Sequence, residues 1–285
     1  FGKSMNNIQA VLNMGCEFLK QNSINSYQID AELLLSKVLN KKREYLFLNN
    51  KQNLSNDLLD QFKVLLNRRR QKEPIAYILN QKEFWKNSFY VDRNVLIPRP
   101  DTEILVEEVM KIYNKDRRLS VLDIGTGSGC IIISILKERQ KFKGTAIDIS
   151  KKAIKIAKFN AKIHQLSNRI KFYKSSVDNF FKGKYDLIVS NPPYINSLKL
   201  KYLEKDILGY EPIQALKGGL DGFNVFYKII KKSSKLLKKG GKLVLEIGFD
   251  QKLEMLRLLK NKNFFLNKTI KDYSGKDRCL ICTKL

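Results

Sequence analysis

From about Asp101 onward, short apolar runs alternate with segments of helical periodicity. The runs LSVLDIG, GTAIDIS, YDLIVS and KLVLEIG have the composition of buried strands. Between them lie segments such as CIIISILKER and KKAIKIAKFNAKI, whose apolar residues recur at helical spacing. Strands that alternate with helices predict a parallel, doubly wound α/β sheet. We therefore expect residues 101–285 to form an α/β domain.

Local signals predict where two helices of this domain begin and end. Asp101 is a candidate N-cap for the amphipathic segment DTEILVEEVMKIY, because its side chain can accept from the first free N–H groups. Gly240 and Gly241 follow a long helical pattern that starts near Gly222, and glycine is the usual residue just past a helix end.

The sequence before Asp101 has a different residue pattern. Residues 1–75 carry leucines and other apolar residues at helical spacing, separated by polar clusters, which predicts a small helical bundle that serves either as a partner-binding module or as a lid. Residues 76–100 are rich in aromatic and β-branched residues with a polar break at Lys86–Ser88, which predicts a β-hairpin linker.

Charge and composition indicate where the chain works and which partners it contacts. Hydrophobic residues make up 43% of the sequence, and no run approaches the ~20 apolar residues of a membrane span. We expect a cytoplasmic monomer that does not contact a membrane. The formal net charge is +26, yet only 12 of the 54 basic residues are arginine, and Arg68–Arg70 is the one dense run. This charge leaves open a position near nucleic acid or the ribosome.

The four cysteines, Cys16, Cys130, Cys279 and Cys282, do not predict a metal site. Cys279 and Cys282 form a C-x-x-C pair in a segment that resembles a strand, where residues three apart point to opposite faces. No second Cys/His pair completes a zinc site, because His164 is the single histidine. We expect buried, reduced cysteines and no bound metal.

A glycine-rich turn joins the first predicted strand to the next helix. In VLDIGTGSGC, Gly125, Gly127 and Gly129 permit a tight turn and a close approach to a ligand, and Asp148 ends the following strand, where an acid can hold a ribose hydroxyl. The spacing is G-x-G-x-G, so it fits neither the dinucleotide fingerprint nor a P-loop. Asp123 adds negative charge, which favours a cationic ligand. The pattern resembles the S-adenosylmethionine loop of class I methyltransferases.

The tetrad Asn191–Tyr194, NPPY, follows the strand YDLIVS and should face the same crevice, because ligands bind outside the carboxyl ends of an open sheet. An amide or ring-attached NH2 is a poor nucleophile. The Asn191 side-chain oxygen and the Pro192 carbonyl can accept its two N–H groups, and the two prolines leave no competing backbone N–H. Tyr194 offers a flat face for stacking. This arrangement predicts methyl transfer to nitrogen by positioning and electrostatics.

Further stretches give the chain a resemblance to a known family. LIPRPDTEILVE, SNPPYI, YEPIQAL, GGLDGFNVFYKII and DYSGKDRCLI resemble the protein-(glutamine-N5) methyltransferases of peptide chain release factors over nearly the whole length. IPRPDTE together with NPPY is specific, whereas either motif alone is not. The resemblance implies a Rossmann-like class I methyltransferase sheet, joined by a β-hairpin to a small N-terminal helical bundle. It also implies that this bundle, residues 1–75, helps to engage the substrate protein.

The resemblance also implies a reaction and its residues. The substrate would be the glutamine of the Gly-Gly-Gln loop in class I release factors, and S-adenosylmethionine would donate the methyl group. Asn191, Pro192 and Tyr194 would be catalytic, and the substrate would contact Asn191, Pro192, Pro193 and Tyr194. The cofactor would contact Gly125, Thr126, Gly127, Ser128, Gly129, Asp148, Val177 and Asn191. The adenine contact falls in YKSSVDNFF, where Ser176 and Val177 align best and Asp178 is an alternative in a shifted register.

Two other functions remain open from the sequence. An adenine-N6 methyltransferase of DNA or RNA would use the same tetrad to hold a flipped-out base, and the charge of +26 would suit it. A non-enzymatic basic protein on a methyltransferase scaffold is the other, but an intact NPPY beside an intact glycine loop argues against it. Glu246 ends a strand near the site with either a positioning or a structural role. Arg99 is placed to orient Asp101, Glu103 or the substrate.

Overall fold

The computed structural model describes residues 6–195, 209–219 and 222–285. These residues form two compact units. The first contains residues 6–80 and 209–210, and the second contains residues 81–195, 211–219 and 222–285. Across the described residues, no helix combines the length and the apolar character that crossing a membrane requires.

Helices build the first unit, as the periodicity of its sequence predicts. They are α1 (Ile8–Gln21), α2 (Tyr27–Leu39), α3 (Arg43–Leu48), α4 (Asn56–Arg70) and α5 (Ile75–Leu79). Asn7 and Ser55 cap α1 and α4 with side-chain oxygens that accept from backbone N–H groups. The apolar faces of α1, α2 and α4 meet in one core around the fully buried Leu19, Leu34 and Phe62.

The side chains of Arg68–Arg70 contact other residues of this helical unit. Arg68 makes two hydrogen bonds of 2.8 Å to the carboxylate of Glu73, and Arg69 donates to Asp30 at 2.7 Å in the buried interior. Arg70 lies over the ring of Phe18, 5.9 Å from its centroid. The densest basic run of the sequence therefore stabilises the helical unit through its own contacts.

A two-stranded hairpin opens the second unit. Strands β1 (Lys82–Phe84) and β2 (Asn87–Phe89) pair antiparallel, which agrees with the polar break seen in the sequence. Trp85 takes a positive φ of 54° in the turn and donates from Nε1 to Glu138 at 2.9 Å. Of the predicted linker, residues 76–80 lie in the helical unit and residues 81–100 in the second unit.

Seven strands form one mixed sheet in the described part of the second unit, in the order β5-β4-β3-β6-β7-β9-β8. The strands are β3 (Ser120–Ile124), β4 (Lys143–Asp148), β5 (Ile170–Lys174), β6 (Tyr185–Ser190), β7 (Leu237–Glu246), β8 (Phe264–Lys271) and β9 (Asp277–Lys284). Strands β3 to β7 are parallel, and β9 is antiparallel to both β7 and β8. The sheet is therefore not wholly parallel as expected, because β8 and β9 join directly as a hairpin.

Helices flank the sheet, and two of their predicted boundaries were wrong. The helices are α6 (Glu103–Ile112), α7 (Cys130–Glu138), α8 (Lys151–Ile163), α9 (Asn224–Leu236) and α10 (Lys252–Lys260). Asp101 does not cap α6, because a 3₁₀ turn, Pro100–Thr102, precedes the helix and contains it. Helix α9 ends at Leu236 and the chain continues directly as β7. Gly240, with φ of 74°, and Gly241 lie inside that strand.

Apolar side chains cover both faces of the sheet. Cys279 packs in one hydrophobic cluster and Cys282 in the cluster on the other face, as their spacing on a strand predicts. The pKa of each thiol is raised, chiefly because burial disfavours the thiolate. Within the described residues, no group of three or more metal-binding side chains comes together.

Asn160 on α8 joins the segment after the hairpin to the glycine loop. Its Oδ1 accepts from the Tyr90 backbone N–H at 2.8 Å, and its Nδ2 donates to the carbonyls of Tyr90, at 3.0 Å, and Ser128, at 2.8 Å. This fully buried side chain thus satisfies three backbone groups with one amide.

We expect Asn160→Ala to lower the free energy of unfolding by about 2–4 kcal/mol, because the lost amide leaves buried backbone groups unpaired. Urea denaturation followed by circular dichroism measures this change. Lys158→Ala on the exposed face of the same helix is the control, and it should change the value by less than about 0.5 kcal/mol. Equal effects of the two substitutions would contradict this role of Asn160.

Candidate active site

Four parallel strands end at the same edge of the sheet. The last residues of β3, β4, β6 and β7 are Ile124, Asp148, Ser190 and Glu246. In the parallel register Ile124 stands opposite Ser190, and the Ser190 hydroxyl donates to the Ile124 carbonyl at 2.7 Å. The segments that follow β3 and β6 therefore leave the sheet side by side.

The glycine loop after β3 is held by backbone hydrogen bonds. The N–H groups of Gly125 and Thr126 donate to the Ile147 carbonyl at 2.9 and 3.0 Å, and the Gly129 N–H donates to Thr126 at 2.8 Å. All three glycines of the loop have positive φ, at 74°, 55° and 82°. A Cβ at Gly125 or Gly127 would meet no atom within 4 Å, whereas one at Gly129 would lie 3.3 Å from the Cβ of Ala157.

Glycine consequently has two different purposes in this loop. At Gly125 and Gly127 it permits the left-handed backbone and leaves the space beside the loop clear. At Gly129 it also lets α8 approach the start of α7 closely.

The Asp148 carboxylate fixes the glycine loop against the end of β4. Its Oδ2 accepts from the Gly127 N–H at 3.0 Å, and its Oδ1 accepts from the Ser150 N–H at 2.9 Å. Burial raises the pKa of Asp148, and these backbone hydrogen bonds oppose that rise by stabilising the charged form. Each carboxylate oxygen keeps a lone pair for a ligand hydroxyl.

Asp123 lies beneath the loop and does not line the pocket. Burial raises its pKa to about 7, opposed by a hydrogen bond of 2.7 Å from the Thr126 hydroxyl to Oδ2. Its Oδ1 has no hydrogen-bond partner among the described residues. A carboxyl group with this pKa is partly neutral near pH 7, so it is a weaker source of negative charge than the sequence suggested.

The NPPY segment is held from two sides. Ile195 N–H donates to the Leu216 carbonyl at 3.1 Å, and Gly218 N–H donates to the Ile195 carbonyl at 2.9 Å. On the other side the Gln251 amide donates to the Tyr194 carbonyl at 3.2 Å. A Cβ at Gly218 would lie 2.9 Å from the Pro193 carbonyl oxygen, so only glycine allows this close approach.

Tyr194 reaches from the NPPY segment to the start of β9. Its ring packs at the margin of the hydrophobic cluster that contains Leu245 and Ile247, and its hydroxyl accepts from Arg278 at 3.4 Å. Burial raises the pKa of Tyr194 to about 12, with the nearby carboxylate of Glu246 acting in the same direction. The phenol therefore stays neutral throughout the physiological range.

Asn191 is hydrogen-bonded to a threonine of the 3₁₀ turn. Asn191 Nδ2 donates to Thr102 Oγ1 at 3.0 Å, and Thr102 and the neighbouring Glu246 are both buried. Burial raises the pKa of Glu246 to about 7, and the nearby Thr102 side chain and the charge of Arg278 oppose that rise. The sequence analysis considered Glu246 but missed Thr102, although it stands in the quoted IPRPDTE motif.

Arg99 forms an ion pair that the sequence analysis did not anticipate. Its guanidinium contacts the buried Glu211 carboxylate at 2.5 Å, and Glu211 also accepts from the Ile97 N–H at 3.4 Å. Glu103 instead accepts from the Trp85 backbone N–H at 2.7 Å. Arg99 thus joins the IPRP segment to the YEPIQAL segment, two of the stretches on which the resemblance rests.

A pocket of about 480 Å³ opens at this edge of the sheet, a volume within the usual range for small-molecule sites. Of the predicted site residues, its walls include Gly125, Gly127, Asp148, Val177, Asn191, Pro192 and Pro193. Thr126, Ser128, Gly129 and Tyr194 are not among its lining residues; they support the loops that are. Ser176, Val177 and Asp178 all line the pocket, so its walls do not choose between them.

Other wall residues were missed because nothing in their own sequence indicates a site. They come from the segment after the hairpin, from YEPIQAL and from α9, and they include Asn94, Leu96, Pro212, Gln214, Val225 and Ile229. All of these residues except Asn94 lie in stretches that were quoted for the resemblance, and that resemblance was the signal available for them.

Two family models match this chain. Residues 10–79 match the PrmC N-terminal domain, and residues 100–209 match the methyltransferase small domain. The release factor glutamine methyltransferase of Clostridium acetobutylicum is 38% identical over 269 residues, which cover 93% of this chain and 94% of that protein.

The chain belongs to the release factor glutamine methyltransferase family. The enzyme of this name from Buchnera aphidicola is 41% identical and covers 87% of this chain and 90% of its own length. A bifunctional methyltransferase of Rickettsia conorii is 34% identical over 96% of this chain, which spans 57% of that protein. Among solved structures, a methyltransferase from Pyrococcus furiosus shares the fold, with a TM-score of 0.52 at 19% identity over 79% of this chain and 96% of that one.

Family membership confirms the predicted fold class, enzyme class and cofactor. Release factor glutamine methyltransferases are S-adenosylmethionine-dependent enzymes, and S-adenosylmethionine is the methyl donor. The residues present fit this group. The clear space beside Gly125 and Gly127, the free lone pairs of Asp148 and the apolar walls at Ile147 and Val177 suit a nucleoside.

The raised pKa of Asp123 predicts a pH-dependent cost in stability. A buried acid that holds its proton in the folded state favours folding most at low pH, and this contribution is lost as pH rises through about 7. We expect Asp123→Asn, which cannot ionise, to gain stability relative to wild type as pH rises from 5 to 8. Urea denaturation at each pH measures the difference.

The matched control for this pH series is Asp116→Asn. Its carboxylate is 89% exposed and pairs with Lys141 at 3.4 Å. Its stability relative to wild type should stay constant from pH 5 to pH 8. A constant difference for Asp123→Asn as well would show that Asp123 titrates normally.

Proposed function

We propose that this chain methylates the side-chain amide nitrogen of the glutamine in the Gly-Gly-Gln motif of class I peptide chain release factors. The observation that carries the proposal is the shared pocket, whose walls include the glycine loop, Asp148 and the Asn191–Pro193 segment. The names of the relatives support the substrate.

Asn191 and Pro192 would turn the glutamine amide toward the methyl group. The amide lone pair is delocalised into its carbonyl, so attack requires both N–H groups to be held by acceptors. The Asn191 side-chain oxygen and the Pro192 carbonyl would accept them, and Pro192 and Pro193 have no N–H to compete. Tyr194, the last residue of the tetrad, would stack on the planar glutamine amide through its neutral ring.

Positioning of this kind needs no base before the attack. When bound, S-adenosylmethionine supplies an electrophilic methyl group, and the C–S electron pair remains on sulfur as that bond breaks. The amide nitrogen uses its lone pair to form the N–CH3 bond. Methylation makes the nitrogen acidic, so its extra proton then leaves to water and a neutral secondary amide remains.

The remaining predicted residues would hold the methyl donor. The glycine loop from Gly125 to Gly129 would approach it by its backbone, and Asp148 would accept from the ribose hydroxyls. We assign the adenine contact to Val177, because Asp178 already forms an ion pair with Lys228 at 3.0 Å. An apolar side chain also suits the face of a base better than a paired carboxylate.

The proposal also covers the location, the oligomeric state and the partner of the chain. We infer that the chain works as a cytoplasmic monomer and that the helical unit helps to engage the release factor. The formal charge of +26 supports a position close to the ribosome.

Methyl transfer from labelled S-adenosylmethionine tests the proposal. Intact release factor should take up label, and the same factor with Gln replaced in its Gly-Gly-Gln motif should not. Asn191→Ala should lower kcat by roughly 100-fold or more, because the amide loses one of its two acceptors. Asn261→Ala, exposed at the end of α10, is the control and should retain full activity.

Duplex DNA and ribosomal RNA belong in the same assay as competing substrates. Label on nucleic acid with none on the factor would refute the proposal in favour of the adenine-N6 alternative. Label on the factor that survives replacement of the Gly-Gly-Gln glutamine would refute the assigned target.

Asp148→Asn should weaken binding of S-adenosylhomocysteine by roughly 10- to 100-fold in titration calorimetry. Both carboxylate oxygens accept backbone N–H groups, so an asparagine amide would place a donor against Gly127 or Ser150. Asp116→Asn is again the control, and unchanged affinity in Asp148→Asn would remove Asp148 from the cofactor site.

A further inference from the structure

A second cavity opens at the edge of the sheet opposite the candidate active site. Its volume is about 510 Å³, and its walls come from the segment before β3 and from the first residues of β6 and β7. Parallel strands that end at one edge begin at the other, so the length of the strands separates this cavity from the glycine loop and NPPY. Among the described residues that line it, none is assigned above to the methyl donor or the glutamine. The two cavities are therefore separate.

Basic side chains dominate the walls of this second cavity. Four of them line it: Arg117, Lys238, Lys239 and Lys242. The one carboxylate among its lining residues is that of Asp186, and both of its oxygens already have partners. Oδ2 accepts from the Ser120 backbone N–H at 2.8 Å, and Oδ1 accepts from Lys238 Nζ at 2.8 Å. Asp186 therefore offsets the charge of Lys238 and leaves the other three cations.

These three cations have no carboxylate partner in the described part of the chain. Arg117 and Lys239 are exposed, and neither side chain makes a hydrogen bond or an ion pair there. Lys242 is half-buried, and its Nζ donates to neutral oxygens, at 2.6 Å to Thr283 and at 3.4 Å to Asn267. Positive charges gathered at one cavity without a counter-charge attract an anion.

A bulge in β7 presents two of the lysines. Residues 238–241 leave the ladder between β6 and β7, because all four stand opposite Asp186 alone. Gly240 has a φ of 74°, and a Cβ at Gly241 would lie 2.9 Å from the Lys238 carbonyl oxygen. Glycine permits both features, so the two glycines that do not close α9 shape this bulge instead. The lysines are thus held on a turn that belongs to a paired strand.

An apolar wall lies beside the cations. It consists of Ile112, Tyr113 and Leu119. The Tyr113 ring is edge-on to Phe142, with 6.3 Å between the ring centroids, and Arg139 donates to the Tyr113 carbonyl at 2.8 Å. A cavity with a fixed aromatic wall and a few charged groups suits a ligand that combines an apolar or planar part with negative charge.

We propose that this cavity binds the phosphate groups of a nucleotide, either free or within a nucleic-acid strand. The guanidinium of Arg117 matches phosphate oxygens with two parallel hydrogen bonds, and the lysines supply point charges. Adjacent phosphates concentrate several negative charges in a small volume, which fits the three unpaired cations better than a single carboxylate does. The planar base would lie against the apolar wall. This site is independent of the proposed methyl transfer and adds a second ligand to the chain.

Two exposed cations can be changed without breaking contacts of the fold. Arg117→Gln combined with Lys239→Gln removes two charges from the cavity and no hydrogen bond within the described residues. The matched control is Lys155→Gln combined with Lys158→Gln, which removes the same charge from the exposed face of α8. Comparison of the two pairs separates the cavity from the general attraction of a chain with a net charge of +26 for anions. Both pairs should unfold at the wild-type urea concentration.

Calorimetric titration of the full chain measures binding. The protein is saturated with S-adenosylhomocysteine, so that an adenosine group cannot enter the pocket at the other edge of the sheet. The probes are adenosine triphosphate and a single-stranded RNA of about 12 nucleotides without terminal phosphate. At about 0.15 M salt we expect wild type to bind one or both probes. The affinity should fall roughly 10-fold or more in the cavity pair and less than about 2-fold in the control pair.

The two probes distinguish the sources of the phosphate, because the tighter one identifies a free nucleotide or a strand. For RNA, the slope of log K against log salt should be smaller by about 1.4 in the cavity pair, since two phosphate contacts are lost. Failure of both probes to bind wild type would overturn the proposal, as would equal losses in the cavity and control pairs. Tighter binding of pentaglutamate than of either probe would also overturn it, because the site would then select carboxylates.

Glycine signals locate the bound probe. Protein labelled with ¹⁵N-glycine gives one backbone amide signal for Gly240, identified by its absence in Gly240→Asn, since asparagine tolerates a positive φ. The bound probe should shift this signal. It should not shift that of Gly275, which has a φ of 78° in the turn between β8 and β9 at the active-site edge.

Gly275→Asn identifies the reference signal in the same way. A shift of the Gly275 signal with none at Gly240 would place the probe at the other edge and overturn the proposal. None of these readouts uses methyl transfer, so they test the phosphate site whether or not the proposed reaction is correct.

Discussion

The parallel register of β3, β4, β6 and β7 is the constraint on which the site depends. Parallel strands point their carboxyl ends at one edge, so segments far apart in the sequence begin side by side. Ile124 stands opposite Ser190, and the Ser190 hydroxyl ties the two strand ends together. The glycine loop and NPPY therefore leave the sheet from two neighbouring strands. The pocket is the space that they enclose together with Asp148.

A buried carboxyl group lies next to each of these two segments. Asp123 lies under the glycine loop and accepts from Thr126, and Glu246 lies beside Thr102, the hydrogen-bond partner of Asn191. Burial raises each pKa to about 7, and each group has one oxygen with no hydrogen-bond partner within the described residues. A polar group buried at such cost is more easily explained by the loop that it orients than by stability.

Local sequence patterns predicted what local forces decide. The apolar runs identified β3, β4, β6 and β7, and the glycine spacing identified the loop with positive φ. Predictions failed where contacts between residues far apart in the sequence determine the structure. Helix α9 ends before Gly240 because its chain continues into a paired strand. The partner of Arg99 is Glu211, 112 positions away, and no local rule connects them.

The hydrogen bond between Asn191 and Thr102 gives a physical reason why IPRPDTE and NPPY are specific only together. The two residues are 89 positions apart in the sequence and 3.0 Å apart in the structure. NPPY alone leaves the Asn191 amide nitrogen without this partner. The threonine of IPRPDTE supplies it from the 3₁₀ turn before α6. The two motifs therefore meet at one hydrogen bond, which a chain with only one of them would lack.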